Sequence, residues 1–97
     1  MSVNVVVNFQ AAPGKAEELM SLLREGRDIS RSAEGCESFE LYHRQDDRNR
    51  FMFFEQWASI DAHHDNMAKN IVASGHLARI LPLIVGAPDS GMLESVS

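Results

Sequence analysis

The chain has 97 residues, of which 44% are hydrophobic and 24% charged, with a net charge of -5 and a single cysteine. That length fits one domain spanning residues 1–97, burying about 60% of its unfolded surface around a shallow core that a partner subunit would deepen. The composition excludes disorder and fibrous repeats, and the acidic balance leaves no basic surface for nucleic acid or for anionic membranes.

Val3 to Gln10 reads as a strand with Val3, Val5, Val7 and Phe9 on one face and Val6, between Asn4 and Asn8, on the other. Ala12-Pro13-Gly14 breaks it. Lys15 to Ser30 then places Leu19, Met20, Leu22, Leu23, Gly26 and Ile29 on one helical face, with Glu17 and Glu18 beside the positive helix start. After a loop at Ser32 to Gly35, Cys36 to Arg44 alternates, sending Phe39, Leu41 and His43 one way and Ser38, Glu40, Tyr42 and Arg44 the other. The polar turn Gln45 to Asn49 leads into a third strand, Phe51 to Trp57, which closes a hairpin. Its faces are Phe51, Phe53, Glu55 and Trp57 against Met52, Phe54 and Gln56.

Ser59 is a good N-cap with Asp61 near the helix dipole. Ile60, His63, His64, Met67 and Ile71 then fall in a stripe about 100° wide, which predicts that both histidines face inward. Ser74-Gly75 interrupts, and His76 to Gly86 resumes helical spacing until Pro82 kinks or ends it. Ala87 to Ser90 reads as a turn and Met92 to Val96 as a last strand.

The order βαββα(α)β predicts a ferredoxin-like α+β domain, a four-stranded antiparallel sheet with helices on one face. Because the first and third strands are apolar on both faces, the uncovered face is expected to meet the same face of an identical chain in a homodimer. No apolar run approaches the roughly 20 residues needed to cross a bilayer, and the N-terminus lacks a basic start and cleavage site. A cytoplasmic protein with no membrane partner is expected. Cys36 is alone, so it has no disulfide partner within the chain and reads as a small apolar residue at a strand start.

Three stretches taken in order resemble a known family: Phe9-Gln10-Ala11-Ala12-Pro13-Gly14-Lys15-Ala16-Glu17-Glu18-Leu19, Glu34-Gly35-Cys36 opening a strand, and Phe54-Glu55-Gln56-Trp57-Ala58-Ser59 before a histidine-bearing helix. Together they resemble the antibiotic biosynthesis monooxygenase family of dimeric α+β barrels. The resemblance implies a pocket between helices and sheet in each subunit. It also implies oxidation of a small quinol, phenol or anthrone-like aromatic by dioxygen without metal, flavin or other cofactor. Trp57 matches a strand tryptophan that lines the pocket in such oxygenases, and His63 stands about where some use a tyrosine. Two positions depart from the pattern: Phe53 replaces an asparagine of some members, and Asn66 replaces a histidine found nine residues after the tryptophan, so that either His64 substitutes from the preceding turn or the site is rebuilt.

Chemistry of that kind needs an apolar cavity, a base to form the electron-rich anion and polar hydrogens to hold it. A histidine suits the base because its unperturbed pKa is about 6.5. Trp57, His63 and His64 are therefore the candidate catalytic residues, with His43 a further candidate base. Phe39, Phe53 and Met67 are candidate walls, and Asn8, His43, Glu55, Asn66 and His76 are candidate substrate contacts. Glu55 pairs with a basic residue such as Arg44 or Arg79, caps a backbone group, or, unpartnered, is itself a base. A metal centre built on His43, Glu55 and one of the adjacent histidines is not expected, since adjacent histidines diverge by about 100° around a helix and no His-x-x-x-His is present. Haem is the cofactor alternative, because His76 and Asn8 lie near positions that haem-degrading relatives use. The reading from another functional class is a dimeric binding or stress-response protein that holds a small hydrophobic ligand without turning it over.

Overall fold

The valine run Val3–Gln10 forms β1, and its place inside the sheet explains its two apolar faces. The computed structural model describes residues 2–97 and has one four-stranded antiparallel sheet of order β2-β3-β1-β4, with β2 at Cys36–His43, β3 at Arg50–Trp57 and β4 at Asp89–Leu93. β1 pairs along its whole length with β3, from Val3 opposite Trp57 to Gln10 opposite Arg50. This is the ferredoxin-like α+β architecture that the element order predicts.

Helix α1, Ala16–Arg31, covers one sheet face because Leu19, Leu22, Leu23, Gly26 and Ser30 lie on its buried side. They meet Val5, Val7 and Phe9 of β1, Phe39 of β2 and Phe51, Phe53 and Trp57 of β3. Leu19, Leu23 and Trp57 are completely buried, and each such side chain stabilises the fold by about 1.5–3 kcal/mol. Ile29, expected on the inner face, is exposed, and Ser30 takes the inward position instead.

Gly35 sets how the next helix lies on this core. Its backbone is left-handed, with φ of 84°, and a Cβ there would come within 2.6 Å of Ala62 Cβ. Glycine removes both obstacles. Its carbonyl accepts a bond of 2.7 Å from the Ala58 amide, which fixes the loop against the end of β3. Helix α2, Ile60–Asn66, is capped as expected, Ser59 Oγ accepting from the Ala62 amide at 3.1 Å. The Gly35–Ala62 approach rolls α2 so that Ala62, His63 and Asn66 turn inward. His64 and Ile60 are exposed, so the expectation that both adjacent histidines face inward holds for His63 alone.

The chain continues from α2 as a π-helical turn over Met67–Val72, with the Ala73 amide bonded to the Ala68 carbonyl at 2.9 Å. Gly75, with φ of 83°, then redirects it into α3, His76–Ile80. The helical spacing from His76 to Gly86 ends early, as Pro82 predicts. A 3-10 turn occupies Leu81–Leu83, and Ile84 is extended and bridges to Ala11. The last strand lies three residues earlier than the expected Met92 to Val96, and the expected turn at Ala87 to Ser90 is half strand. Pairing decides this: β1 sets Gly91 opposite Val6 and Asp89 opposite Asn8, whatever the local alternation beyond Leu93.

Every helix lies on the β1 face that carries Val5 and Val7. On the other face, Val6 and Met52 are half-buried and Phe54 and Tyr42 are exposed at 39% and 53%.

Candidate active site

β3 supplies the chemistry because its alternation puts Phe53, Glu55 and Trp57 on the helix-covered face. Glu55 is a carboxylate only 3% exposed among aromatic rings. One oxygen, Oε1, accepts the Trp57 indole N–H at 2.9 Å, a bond made easy by the i, i+2 spacing along one strand face. The same oxygen lies 3.6 Å from His63 Nδ1. Neither arginine considered as a partner reaches it: Arg44 pairs with Asp46, and Arg79 with Glu25. The carboxylate is thus held by an indole donor and left facing a histidine.

Next to this pair lies a cavity of about 180 Å³ between α1, the sheet, the π-helical turn and α3. Its floor is the aromatic cluster in which Phe53 meets Phe39 edge-on at 4.7 Å and Phe9 at 5.3 Å between ring centroids. Glu55 and His63 line one side, Met67 and Ile71 another, and His76, Gly26 and Ser30 a third. Two buried nitrogens on this lining, His63 Nδ1 and His76 Nε2, have no hydrogen-bond partner among the described residues. An unsatisfied buried polar atom costs about 1–3 kcal/mol, and the two lie on different sides of the cavity, Nδ1 turned to Glu55 and Nε2 packed on Gly26.

Of the residues singled out from the sequence, Phe39, Phe53, Glu55, His63, Asn66, Met67 and His76 line this cavity. Trp57 does not. It is wholly buried behind the wall, edge-on to Phe39 at 6.4 Å and 5.9 Å from the His63 ring, where it holds Glu55. His64 is exposed, its ring 5.6 Å from that of His63. Asn8 and His43 line a separate, open cleft of about 440 Å³ at the far end of the sheet, beside Arg44 and Arg50, whose charges are already matched by Asp46 and Asp47.

Asn66 has a second task. Its Nδ2 donates to Ser30 Oγ at 3.0 Å, and its Oδ1 accepts from Asn70 Nδ2 at 2.8 Å, tying the π-helical turn to α1. Ser30 and Gly26 are the residues that sequence reasoning passes over, because a serine or glycine on an apolar helix stripe carries no signal of its own. Cys36 lies outside the site. Burial pushes its thiol up, with the nearby Glu55 charge adding to the effect, so at neutral pH it stays protonated.

The cavity does not fit haem. His76 Nε2, the atom that would have to meet the iron, lies so close to α1 that a Cβ on Gly26 would come within 2.8 Å of it.

Comparison with known proteins agrees with this architecture. The profile of the antibiotic biosynthesis monooxygenase family matches residues 2–70, which include β1 through α2 and the whole Glu55–His63 side of the cavity. A Synechocystis protein without assigned function, sll1783, is 37% identical over 62 residues. That match covers 61% of this chain and 42% of the relative, so the chain spans less than half of that protein's length. Rv0793 from Mycobacterium tuberculosis has the same fold, with a TM-score of 0.88 at 22% identity over 100% of this chain and 97% of that one. So does a mutant of SnoaB, a cofactor-independent oxygenase from Streptomyces nogalater, with a TM-score of 0.82 at 18% identity over 99% and 95% of the two chains. Among the described residues no helix is long and apolar enough to cross a membrane.

Proposed function

The chain belongs to the antibiotic biosynthesis monooxygenase family, and on that premise we propose that it oxidises a small phenol or quinol with dioxygen, without a cofactor, as a homodimer. The observation that carries this reading is the His63 ring on the wall of an apolar cavity, its Nδ1 3.6 Å from a buried carboxylate that Trp57 holds in place. With its Nδ1–H turned toward Glu55, His63 takes the proton of a substrate hydroxyl at Nε2. The imidazolium then faces Glu55, whose charge favours it in a site where water does little screening.

The aromatic anion is the reductant. It passes an electron to dioxygen, and the two radicals join by a bond from oxygen to a ring carbon. Protonation by His63 yields a ring hydroperoxide. Loss of the hydrogen on that carbon, with cleavage of the O–O bond, leaves a quinone carbonyl and one water. The aromatic supplies all four electrons, one oxygen atom stays in the product, and no further reductant is needed. Water exclusion by Phe39, Phe53, Met67 and Ile71 protects the intermediates.

The dimer reading rests on the uncovered sheet face, where Val6, Met52, Phe54 and Tyr42 form a contiguous apolar strip across β1, β3 and β2. A second copy placing the same strip against it would bury both at once.

Oxygen uptake with a panel of phenols, hydroquinones and anthrones tests the activity. The protein should accelerate uptake with at least one phenol or hydroquinone and release a quinone of one added oxygen atom by mass. Uptake equal to the uncatalysed rate across the panel would leave a ligand-binding protein in its place.

A further inference from the structure

The cavity has a direction. Phe53 of β3, Val7 of β1 and Ser90 of β4 stand opposite one another in one row across the sheet, and Glu55, Val5 and Met92 form the next row. Directly opposed residues of antiparallel strands send their side chains to the same face, so both rows lie on the face that carries the helices. Phe53, Val7 and Ser90 all line the cavity, which therefore runs across the strands from β3 to β4. At the β3 end its lining is closed: Phe39, Phe53 and Glu55 are buried.

The other end is open. Apart from His63, the lining residues that keep contact with solvent are Met67 and Ile71 of the π-helical turn, Leu77 of α3, and Pro88 and Ser90 at β4. None of these is charged, and all but Ser90 are apolar. Met92 follows Ser90 on the same face and is 50% exposed, so it carries this apolar rim along β4. Adjacent strands lie about 4.8 Å apart, which sets β4 about 10 Å from β3. A phenol whose hydroxyl meets His63 beside Glu55 ends short of that distance and leaves the β4 end of the floor uncovered. An exposed apolar rim continuous with a cavity is the kind of surface that holds an apolar ligand, and its methionines can adjust to one.

We infer that this opening is a channel for an apolar chain, and that the ligand is a phenolic ring carrying such a chain on the carbon opposite its hydroxyl. The ring lies on Phe53 and Val7. The chain leaves between Ile71 and Leu77 on one side and Pro88, Ser90 and Met92 on the other. The inference rests on the proposed reading of the Glu55–His63 side as the place where a substrate hydroxyl binds, and it narrows that substrate by its substituent. The ring carbons beside the hydroxyl keep their hydrogens, as the proposed oxygenation requires.

Calorimetric titration of the full chain under nitrogen, with phenol, 4-ethylphenol, 4-butylphenol and 2-butylphenol, makes the test. A fully buried methylene tightens binding about fourfold. In a channel open along one side about twofold per carbon is expected, so 4-butylphenol should bind about tenfold or more tightly than phenol, with 4-ethylphenol between them. 2-Butylphenol is equally apolar but turns its chain against the cavity wall, and should gain no more than about threefold. In Met92→Asp and in Ile71→Asp a charge stands beside the path of the chain, and the advantage of 4-butylphenol over phenol should fall to within about threefold. Met92 is exposed on an edge strand, so its variant decides the matter if Ile71→Asp does not fold. Equal affinity for phenol and 4-butylphenol overturns the inference. So does a gain as large for 2-butylphenol, or a gain that survives in either folded variant. A chain preference in a protein that accelerates oxygen uptake with no alkylphenol would sink the oxygenase reading and leave the channel standing; oxygen uptake with phenols and no chain preference would do the reverse.

Discussion

Replacing His63 with alanine should lower substrate-dependent oxygen uptake by about 10²–10⁴-fold, the usual contribution of a positioned general base. The size follows from the lack of a substitute. His64 is exposed and His43 lines a cleft at the other end of the sheet, so neither can take the proton from a substrate in the cavity. The loss should fall on kcat, because the aromatic floor of Phe39, Phe53 and Phe9 still binds the ring. Glu55→Gln should give a smaller loss. It removes the charge that favours the imidazolium yet keeps an oxygen able to accept the Trp57 N–H. Trp57→Phe tests positioning: the indole donor is lost while the ring volume is largely kept, and Glu55 is left with no hydrogen-bond donor among the described residues. Its effect should again appear in kcat with little change in KM. Stopped assays on the three variants, each checked for native circular dichroism, separate these roles. A His63→Ala enzyme within about threefold of wild type would remove the histidine from the mechanism.

The second large effect concerns assembly. Phe54 lies on the uncovered face of β3, opposite Val6 on one side and Glu40 on the other, and is 39% exposed. In a homodimer built on this face, two-fold symmetry places Phe54→Glu in the interface twice, each copy leaving an ionised carboxylate without a partner. The effective penalty is several kcal/mol per ion, enough to turn a micromolar or tighter dimer into monomer. The protomer should still fold, because Phe54 points away from the Leu19, Leu23 and Trp57 core. Sedimentation velocity should show wild type as a dimer and Phe54→Glu as a folded monomer at the same micromolar concentration. A monomeric wild type contradicts the proposed interface.

The fold is legible in the sequence where burial on one face produces a period. β1, α1 and the hairpin of β2 and β3 all follow from alternation or helical spacing, and the Ser59 cap follows from its hydroxyl ahead of an acidic first turn. The end of the second helical stretch is legible in Pro82 for the same reason, a local steric rule. What depends on a distant partner is not legible. α2 is rolled by Gly35 meeting Ala62, two small residues 27 positions apart in the chain, and so the apolar stripe of Ile60, His64 and Met67 is no guide to its inner face. β4 takes its register from β1 and not from its own alternation.

The candidate site divides along the same line. Glu55 and Trp57 share a strand face by arithmetic, and their hydrogen bond is the direct consequence. That Trp57 stands behind the wall and not in it depends on how Phe39 packs across the sheet, a contact the strand pattern does not contain. His76, Gly26 and Ser30 come together only when α3 folds back over α1. The departure at Asn66 acquires a physical reason there: its side chain is committed to Ser30 and Asn70, so it serves as a tie between helices where a family pattern expects a histidine.

The most direct test of the account is the fate of labelled oxygen. Chelator-treated, flavin-free protein is given a single-ring diphenol under 18O2, and the quinone and the water are analysed by mass spectrometry. The account predicts turnover with one 18O atom in each quinone formed and the other in water, lost together in His63→Ala. Turnover that requires an added metal or flavin, or quinone carrying no 18O, would contradict it.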